Sequence, residues 1–442
     1  MKKNCLLIVS TKHKIGGKMK DVTRNIQVKF NQYNMKYQEK LTRPEQKFLR
    51  KFGYGLFRSG QVYITRIASS LEEDISRKKT CERLTRHLQK EDLGDRILEM
   101  HLTKNRRVFR RSRYLIIDGS DINKPYATTM EGIGRVHDGS TGEIVNGYWL
   151  MNMIGVEPKN ECIHMLNSRL YSFSKYEDPE ISENKVILGM TAKHREKVSE
   201  DQIVVIDRGG DRRVLIEQFL AWNQQFIIRQ TGSRHLFFRN EEVLLKKLAR
   251  KIHLTQTVEV KKLHGGRIAK RLFHCGAIQV KFPHQYQSSP YAKNLWLVRM
   301  RDSRGAESWY LANLNTEQKE EAIITVLEGY GWRWRIEEVH RQIKQDFRLE
   351  KLSLRRYNSL KNFMIIFWVM MNFVYQYLYD KGYQIILACS EPLLYRGKIS
   401  ELNGFLYYKL TYALRLLLLK TSCRDKHSIV KKTENQLTFQ FI

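Results

Sequence analysis

Cysteine is scarce in this sequence, and its placement excludes two kinds of protein. Six cysteines are spread over 442 residues, and no two of them are near neighbours. The spacing therefore offers neither a CxxC metal site nor the dense disulfide framework of small secreted proteins. A reducing, intracellular setting is expected.

Long apolar runs are missing as well. The stretch MKKNCLLIVSTKHK at the amino terminus contains an apolar run that is too short for the h-region of a signal peptide. The most apolar segment, FMIIFWVMMNFVYQYLY from Phe363, is interrupted by Asn372 and Gln376. It falls short of the roughly 20 residues that span a bilayer, and we predict a buried core helix. No GxxxxGK loop occurs, so nothing indicates nucleotide hydrolysis.

Acidic residues are outnumbered by basic ones. The 46 Asp and Glu residues are set against 78 Lys and Arg, a formal net charge of +32. Such a charge destabilises a compact protein by self-repulsion unless a polyanion lies against it. Because 42% of the residues are hydrophobic, the chain is expected to fold. Nucleic acid is therefore the first expected partner, and a membrane surface the second.

The patterns along the chain predict a mixed α/β protein with helical ends. Apolar strands come first, then strands and helices alternate, and helical spacing prevails near both ends. The predicted regions are a helical basic DNA-binding region (1–105), the first part of an α/β domain (106–232), a β-rich insertion (233–292), the second part of that domain (293–355) and a helical carboxyl-terminal region (356–442). The segment ITRIASSLEEDISRKKTCERLTRHLQ is typical of a helix-turn-helix, but two packed helices with a solvated basic face explain it equally well.

Two aspartates end apolar strands in nearly identical surroundings. Asp118 closes YLIID and Asp207 closes IVVID. A single aspartate at a strand end is more often a turn or cap residue, whereas a matched pair favours a shared site at one edge of the sheet. Asp121 and Asp211 follow closely and are expected to support that site without being ligands.

The segment EGYGWRWRIEEVHRQIKQDF predicts a helix with two separate stripes. At about 100° per residue, four polar side chains fall within a window of about 60°. These are Tyr330, Arg333, Glu337 and Lys344. A second, apolar stripe consists of Ile336, Val339, Ile343 and Phe347. Taken alone, the polar stripe is equally compatible with a solvated face that carries Glu–Arg pairs at i, i+4.

The spacing Tyr330-x2-Arg333-x3-Glu337-x6-Lys344 resembles the YREK signature of the IS4-type DDE transposases of bacterial insertion sequences. LIIDGSD and VVIDRGGD are similar to the two aspartate strands of that family, and Trp309 matches the tryptophan that precedes its signature tyrosine. The resemblance covers roughly residues 55–355. It implies an RNase H-like mixed sheet flanked by helices, with a β-rich insertion between the second aspartate and the glutamate.

The resemblance also implies a chemistry. Asp118, Asp207 and Glu337 would be the catalytic residues and would hold two Mg²⁺ ions, for which Mn²⁺ can substitute. The residues expected to bind DNA are Tyr330, Arg333, Lys344, Arg208, Trp309 and Arg341. Trp309 would stack on a base turned out of the duplex, although a tryptophan in the core is as plausible a reading.

The implied activity is cut-and-paste transposition by phosphodiester hydrolysis and strand transfer. The expected partners are double-stranded DNA, namely the terminal inverted repeats and the target, and a second copy of the chain in a homodimeric synaptic complex. No membrane is expected, and the expected location is the bacterial cytoplasm, in association with the nucleoid.

Two other functions stay open at the level of sequence. One is a regulatory or decayed transposase copy that binds DNA without cutting it. The other is a two-metal nuclease of RNase H-like fold that performs no strand transfer.

Overall fold

The computed structural model describes residues 15–139, 141–264, 267–283, 294–379, 382, 385 and 406–419. The α-helices in these residues are α1 (Ile15–Met35), α2 (Arg43–Ser59), α3 (Ile64–Ser70), α4 (Arg77–Leu88), α5 (Leu93–Lys104), α6 (Arg106–Phe109), α7 (Glu183–Lys197), α8 (Arg213–Ala221), α9 (Leu245–Lys251), α10 (Lys319–Gln345), α11 (Tyr357–Asn372) and α12 (Leu406–Leu419). The strands are β1 (Tyr114–Asn123), β2 (Gly134–His137), β3 (Ile144–Glu157), β4 (Cys162–Tyr171), β5 (Ile203–Ile206), β6 (Phe226–Arg229), β7 (His235–Phe238), β8 (Glu241–Leu244), β9 (Gln256–His264), β10 (Arg267–Val280), β11 (Leu295–Asp302) and β12 (Glu307–Asn313).

One large mixed sheet organises the protein. Its strand order is β2-β3-β1-β5-β6-β12-β11-β10-β9, and β4 also pairs with β3. β1 runs antiparallel to β3 and parallel to β5, which in turn is parallel to β6. The fold class expected from the sequence, an RNase H-like mixed sheet flanked by helices, is confirmed by this arrangement.

The central strands are apolar because both of their faces are covered. All four residues of β5 are buried, and the first four of β1, Tyr114 to Ile117, are at most 1% exposed. Continuous burial of this kind is typical of parallel strands with helices on both sides. β1 pairs with β5 only from Tyr114 to Ile116, so Asp118 lies just beyond the end of that ladder.

Helix α10 packs its apolar stripe against the core, as predicted. Ile336, Val339, Ile343 and Phe347 are fully buried. The helix contacts β1, β3, β5 and β6 on the sheet. Its polar stripe is therefore carried past the ends of the strands that bear Asp118 and Asp207.

The amino-terminal helices share a core with α11. The predicted core helix at Phe363 is confirmed as α11, in which every residue from Leu360 to Asn372 but one is buried. The Tyr33 hydroxyl of α1 donates to the Val369 carbonyl, and the Gly94 amide donates to Asn362 Oδ1. Among the described residues, no helix has both the length and the apolar character needed to cross a bilayer.

The segment predicted as a β-rich insertion adds strands to the far edge of the sheet. β9 and β10 form an antiparallel ladder, and β10 pairs with β11. β7 and β8 form a separate hairpin that is followed by α9. Residues 265–266 and 284–292 of the predicted insertion lie outside the described residues.

Candidate active site

Two of the three predicted acids lie side by side because their strands are parallel neighbours. Asp118 follows the paired part of β1, and Asp207 comes directly after β5. Carboxyl ends of parallel strands meet at one edge of a sheet, which is where sites form in open α/β folds. The third acid, Glu337, comes from α10, which crosses this edge.

One guanidinium joins all three acids. Arg333 Nη1 lies 3.5 Å from Asp118 Oδ2 and 4.0 Å from Asp207 Oδ2. Arg333 Nη2 donates to Glu337 Oε1. Only 11% of the Arg333 side chain is exposed, so this charge is largely removed from water. The structure thus brings Asp118, Asp207 and Glu337 within reach of a single cation.

Burial shifts the titration of Asp118. The pKa of its carboxyl is raised to about 7, chiefly by burial; Arg333 opposes the rise, and the neighbouring Glu337 and Asp207 contribute to it. The Asp118 carboxylate is still accessible to solvent, because 27% of the side chain is exposed. A carboxyl that holds its proton near neutrality favours an added cation at this position.

The pKa of Asp207 is shifted in the opposite direction because hydrogen-bond donors surround its carboxylate. Burial alone would raise the pKa of Asp207, but the Tyr330 hydroxyl, which donates to Oδ1 over 2.7 Å, and nearby positive charges bring it below its usual value. Arg229 lies 3.8 Å from the same oxygen and donates to the Tyr330 hydroxyl over 3.2 Å.

Arg229 is a site residue that the sequence reasoning missed. It ends β6, the next parallel neighbour of β5, so its side chain emerges at the same edge as Asp207. The signal was present in the sequence as QFIIRQ, an apolar strand that ends in a basic residue. The rule applied to the strands that end in aspartate applies equally to this one.

Lys344 contacts acids other than the three predicted ones. Its ammonium lies 3.0 Å from Asp121 Oδ1 and 3.6 Å from Glu350. Asp211 is also engaged, because Arg234 donates to it over 2.7 Å and Thr231 binds its other oxygen. Both aspartates thus link neighbouring segments through these contacts, and the expectation that neither is a metal ligand stays a prediction.

The other predicted DNA-binding residues have different surroundings. Arg208 is exposed directly after Asp207. Arg341 is 46% exposed and pairs with Glu338 over 2.8 Å. Trp309, in β12, is half-buried: its ring packs beside Gly232, whose φ of +94° and close approach leave no room for a Cβ. Within the described part of the chain, the buried indole Nε1 has no hydrogen-bond partner.

The donor set suits a hard divalent cation, but Arg333 stands in the way in this conformation. Carboxylate oxygens are the ligands that Mg²⁺ prefers. Nevertheless, within the part of the chain that the structure describes, no group of three Asp, Glu, His or Cys side chains is arranged so that it could hold one ion. Direct ligation by all three acids therefore requires that the guanidinium move aside.

Comparison with known proteins identifies the family of this chain. Residues 109–373, more than half of the chain, match the family model described as a transposase DDE domain. One solved structure, a cryo-EM structure of the piggyBac transposase synaptic complex with hairpin DNA, aligns with a TM-score of 0.40 and 9% sequence identity, over 91% of this chain and 80% of that chain. Among curated proteins, no sequence matches. On the strength of the family match, the chain belongs to the transposases that carry a DDE domain.

Proposed function

We propose that this transposase catalyses cut-and-paste transposition of an insertion sequence, with Asp118, Asp207 and Glu337 as its catalytic carboxylates. The observation that carries the proposal is their convergence on one buried cation, Arg333. Three carboxylates in one place repel each other, at about 4 kcal/mol per ionised pair at 4 Å and an effective dielectric of about 20. Such a cluster is retained where a reaction needs it. The IS4-type subfamily and the YREK signature belong to this proposal.

The three acids would hold two Mg²⁺ ions, for which Mn²⁺ could substitute. Asp118, Asp207 and Glu337 would hold the metal, which would supply Lewis-acid stabilisation of the attacking and leaving oxygens in a displacement at phosphorus. The raised pKa of Asp118 supports this assignment, because a buried carboxyl with two acidic neighbours would be stabilised in its ionised form by a bound cation.

The residues around the acids would hold the DNA backbone. Arg333 and Arg229 can each present a planar fork of donors to a phosphate, and Tyr330 can donate a single hydrogen bond. Lys344 is a quarter exposed and would supply a point charge further along α10. Arg208 and Arg341 are exposed and would contact phosphates beyond the site. Trp309 would stack on an unpaired base, for which only part of its ring is accessible.

The expected partners follow from the charge of the protein. A formal net charge of +32 suits double-stranded DNA at both the terminal repeats and the target. The predicted region 1–105 would contribute to DNA binding through α4, whose exposed residues include Arg77, Lys78, Lys79 and Arg86. A homodimeric synaptic complex would bring two ends together.

The binding-only alternative and the nuclease alternative predict different products. A regulatory copy would shift end DNA in a gel without cutting it, and a nuclease would cut without joining ends to a target. The presence of all three acids on one cation favours an enzyme over a binding protein. A ring of phosphate-binding side chains beside them favours an enzyme that retains its cut ends.

The test is incubation of the purified protein with its own flanking DNA, a target plasmid and Mg²⁺. We expect nicks at the transposon ends on a denaturing gel, followed by joined products, and neither product in EDTA. Asp118→Asn and Asp207→Asn should shift the DNA and leave it intact. Binding without cutting by the unaltered protein would contradict the proposal, and cutting without joining would favour the nuclease.

A further inference from the structure

The polar stripe of α10 meets the sheet at several levels, and one of them has no role in the proposed chemistry. Tyr330 bonds Asp207 beside β5, and Arg333 bonds Asp118 in β1. Lys344, near the end of the helix, bonds Asp121 at 3.0 Å. This last contact joins the same strand and the same helix that supply Asp118 and Glu337.

The spacing of the two contacts matches along both elements. From Asp118 to Asp121 the strand advances three residues, roughly 10 Å. From Glu337 to Lys344 the helix advances about two turns, also roughly 10 Å. Strand β1 and helix α10 are therefore linked at two points, one at the acids and one at the Asp121–Lys344 pair. The distance between these two points is about the same along the strand as along the helix.

The Asp121–Lys344 pair is built into the protein and is not a surface contact. Asp121 is only 7% exposed, and its Oδ2 is buried without a hydrogen-bond partner among the described residues. A buried carboxylate in that position depends on its cation, because removing one partner of such a pair leaves an uncompensated charge. The surface pair Arg341–Glu338 on the same helix is far more exposed, at 46% and 14%.

Neighbouring contacts make this end of the helix rigid. Lys344 also lies 3.6 Å from Glu350, in the turn that follows α10. Lys124, just after β1 and 8% exposed, donates to the Glu350 and Leu352 carbonyls. The segment after α10 is thus tied to the segment after β1 next to the Asp121–Lys344 pair.

A further contact lies between the two fastening points. Asn152 of β3 is the cross-strand partner of Asp118, and its amide donates to His340 Nε2 over 3.0 Å. Burial lowers the pKa of His340 to about 3, and Lys344 and Arg333 lower it further, so the imidazole is neutral and accepts. This contact is uncharged, whereas the Asp121–Lys344 pair fixes the helix with opposite charges.

We propose that Asp121 is a positioning residue, which through Lys344 fixes the register between the strand that carries Asp118 and the helix that carries Glu337. This inference rests on the proposed function, since it concerns the alignment of those two acids. It assigns Lys344 a task besides any contact with phosphate. Asp121 itself is an anion removed from the surface and is not expected to touch DNA.

The test separates alignment from DNA binding. The variants are Asp121→Asn, Lys344→Gln and the double variant, which holds no unpaired buried charge and so is the one expected to fold best. Each is assayed well below its unfolding temperature for the single-turnover rate of end cleavage and for the Kd of end DNA. Because a displacement of about 1 Å can lower a rate about a hundredfold, Asp121→Asn should cut between about tenfold and a hundredfold more slowly. Its Kd should stay within about threefold of the unaltered protein.

The double variant supplies a decisive comparison. If Asp121 acts through Lys344, the double variant should cut no more slowly than the slower single variant, since both lose one linkage. Rate losses that multiply would overturn the proposal. So would an Asp121→Asn protein that unfolds at a lower temperature but cuts at the normal rate. The matched control is Glu180→Gln with Lys185→Gln, which neutralises an exposed ion pair at the start of α7 and should leave the rate unchanged.

A second measurement does not depend on activity. Spin labels at the exposed positions Tyr126, shortly after β1, and Arg341, on α10, report the distance between strand and helix. The distance distribution should broaden in Asp121→Asn and stay narrow in Glu338→Gln. An unchanged distribution would overturn the register role. If the unaltered protein cuts no DNA and yet the distribution broadens, the proposed function fails and the positioning role stands.

Discussion

Two faces of α10 carry the same kinds of side chain and differ in everything around them. On one face Arg333 is 11% exposed and contacts three carboxylates. On another Arg341 is 46% exposed and pairs with one carboxylate, that of Glu338. The sequence pattern of arginine and glutamate a turn apart is nearly the same in both. What separates a candidate active site from a solvated surface pair is the number of charges that other elements bring, and how much water is excluded.

The largest effect should come from neutralising the acid of the buried face. Glu337→Gln keeps the size of the side chain and the apolar stripe but removes one negative ligand. We expect end cleavage in Mg²⁺ to fall by roughly three orders of magnitude, about 4 kcal/mol in the barrier. Affinity for the end should stay within a few-fold, as measured by gel shift. Near-normal cleavage would mean that Glu337 has no part in catalysis and that this face, like the one that carries Arg341, is a salt-bridged helix face.

Arg333→Ala should act on binding and cutting together. The variant loses a charge-assisted contact to phosphate that is worth about 1.5–3 kcal/mol, and both the Kd and the cleavage rate should worsen by roughly tenfold to a hundredfold. Arg333→Lys keeps the charge without the fork and should recover only part of the loss. If Arg333→Ala changed the rate but not the Kd, the guanidinium would serve the carboxylates and not the DNA.

A smaller, pH-dependent effect is expected on stability. The pKa of Asp118 in the folded protein, about 7, lies above its ordinary value, so the folded state binds this proton more tightly than the unfolded state. The contribution of Asp118 to stability is therefore present at low pH and is lost as the pH rises through about 7. Asp118→Asn cannot ionise and should avoid this loss.

Thermal unfolding in EDTA checks the predicted direction of this pH effect on stability. The variant and the unaltered protein should unfold at similar temperatures at about pH 4 and below, and the variant should unfold a few degrees higher near pH 8. Asp211→Asn is the contrasting control, because Asp211 is paired with Arg234 over 2.7 Å and should lose stability on neutralisation. If the difference in unfolding temperature between Asp118→Asn and the unaltered protein did not grow with pH, the raised pKa of Asp118 would be contradicted.

The sequence predicted the features that depend on periodicity and missed those that depend on long-range contact. Strand ends at Asp118 and Asp207 and the two stripes of α10 follow from spacing along one element. Arg229 also ends an apolar strand, so the same rule could have found it. The Asp121–Lys344 pair could not be placed that way, because it depends on how far the helix crosses the strands. The packing of α1 and α5 against α11 joins residues more than 250 positions apart, for which local patterns carry no signal.

Trp309 illustrates a residue for which both expectations remain physically sensible. Its backbone is fixed in β12 and its ring packs against Gly232, as in a core residue. Its buried Nε1 is nevertheless unsatisfied, which is costly for a purely structural tryptophan. Sequence alone could not separate stacking on a base from packing, because the same ring supports both.

The smallest effects should come from the exposed face, and they test whether Arg341 binds DNA at all. The Arg341–Glu338 pair is open to solvent on the arginine side, so its removal should change stability by less than about 1 kcal/mol. Its effect on DNA should be visible in salt dependence, because each phosphate contact contributes about 0.9 to the slope of log K against log salt. Arg341→Gln should therefore reduce the slope by about one unit with no change in the cleavage rate at saturating protein. Glu338→Gln frees the guanidinium from its carboxylate and should tighten end binding slightly while leaving the slope unchanged. If both variants bind DNA like the unaltered protein from low to high salt, Arg341 belongs to a solvated surface and the DNA contacts of α10 are confined to its buried face.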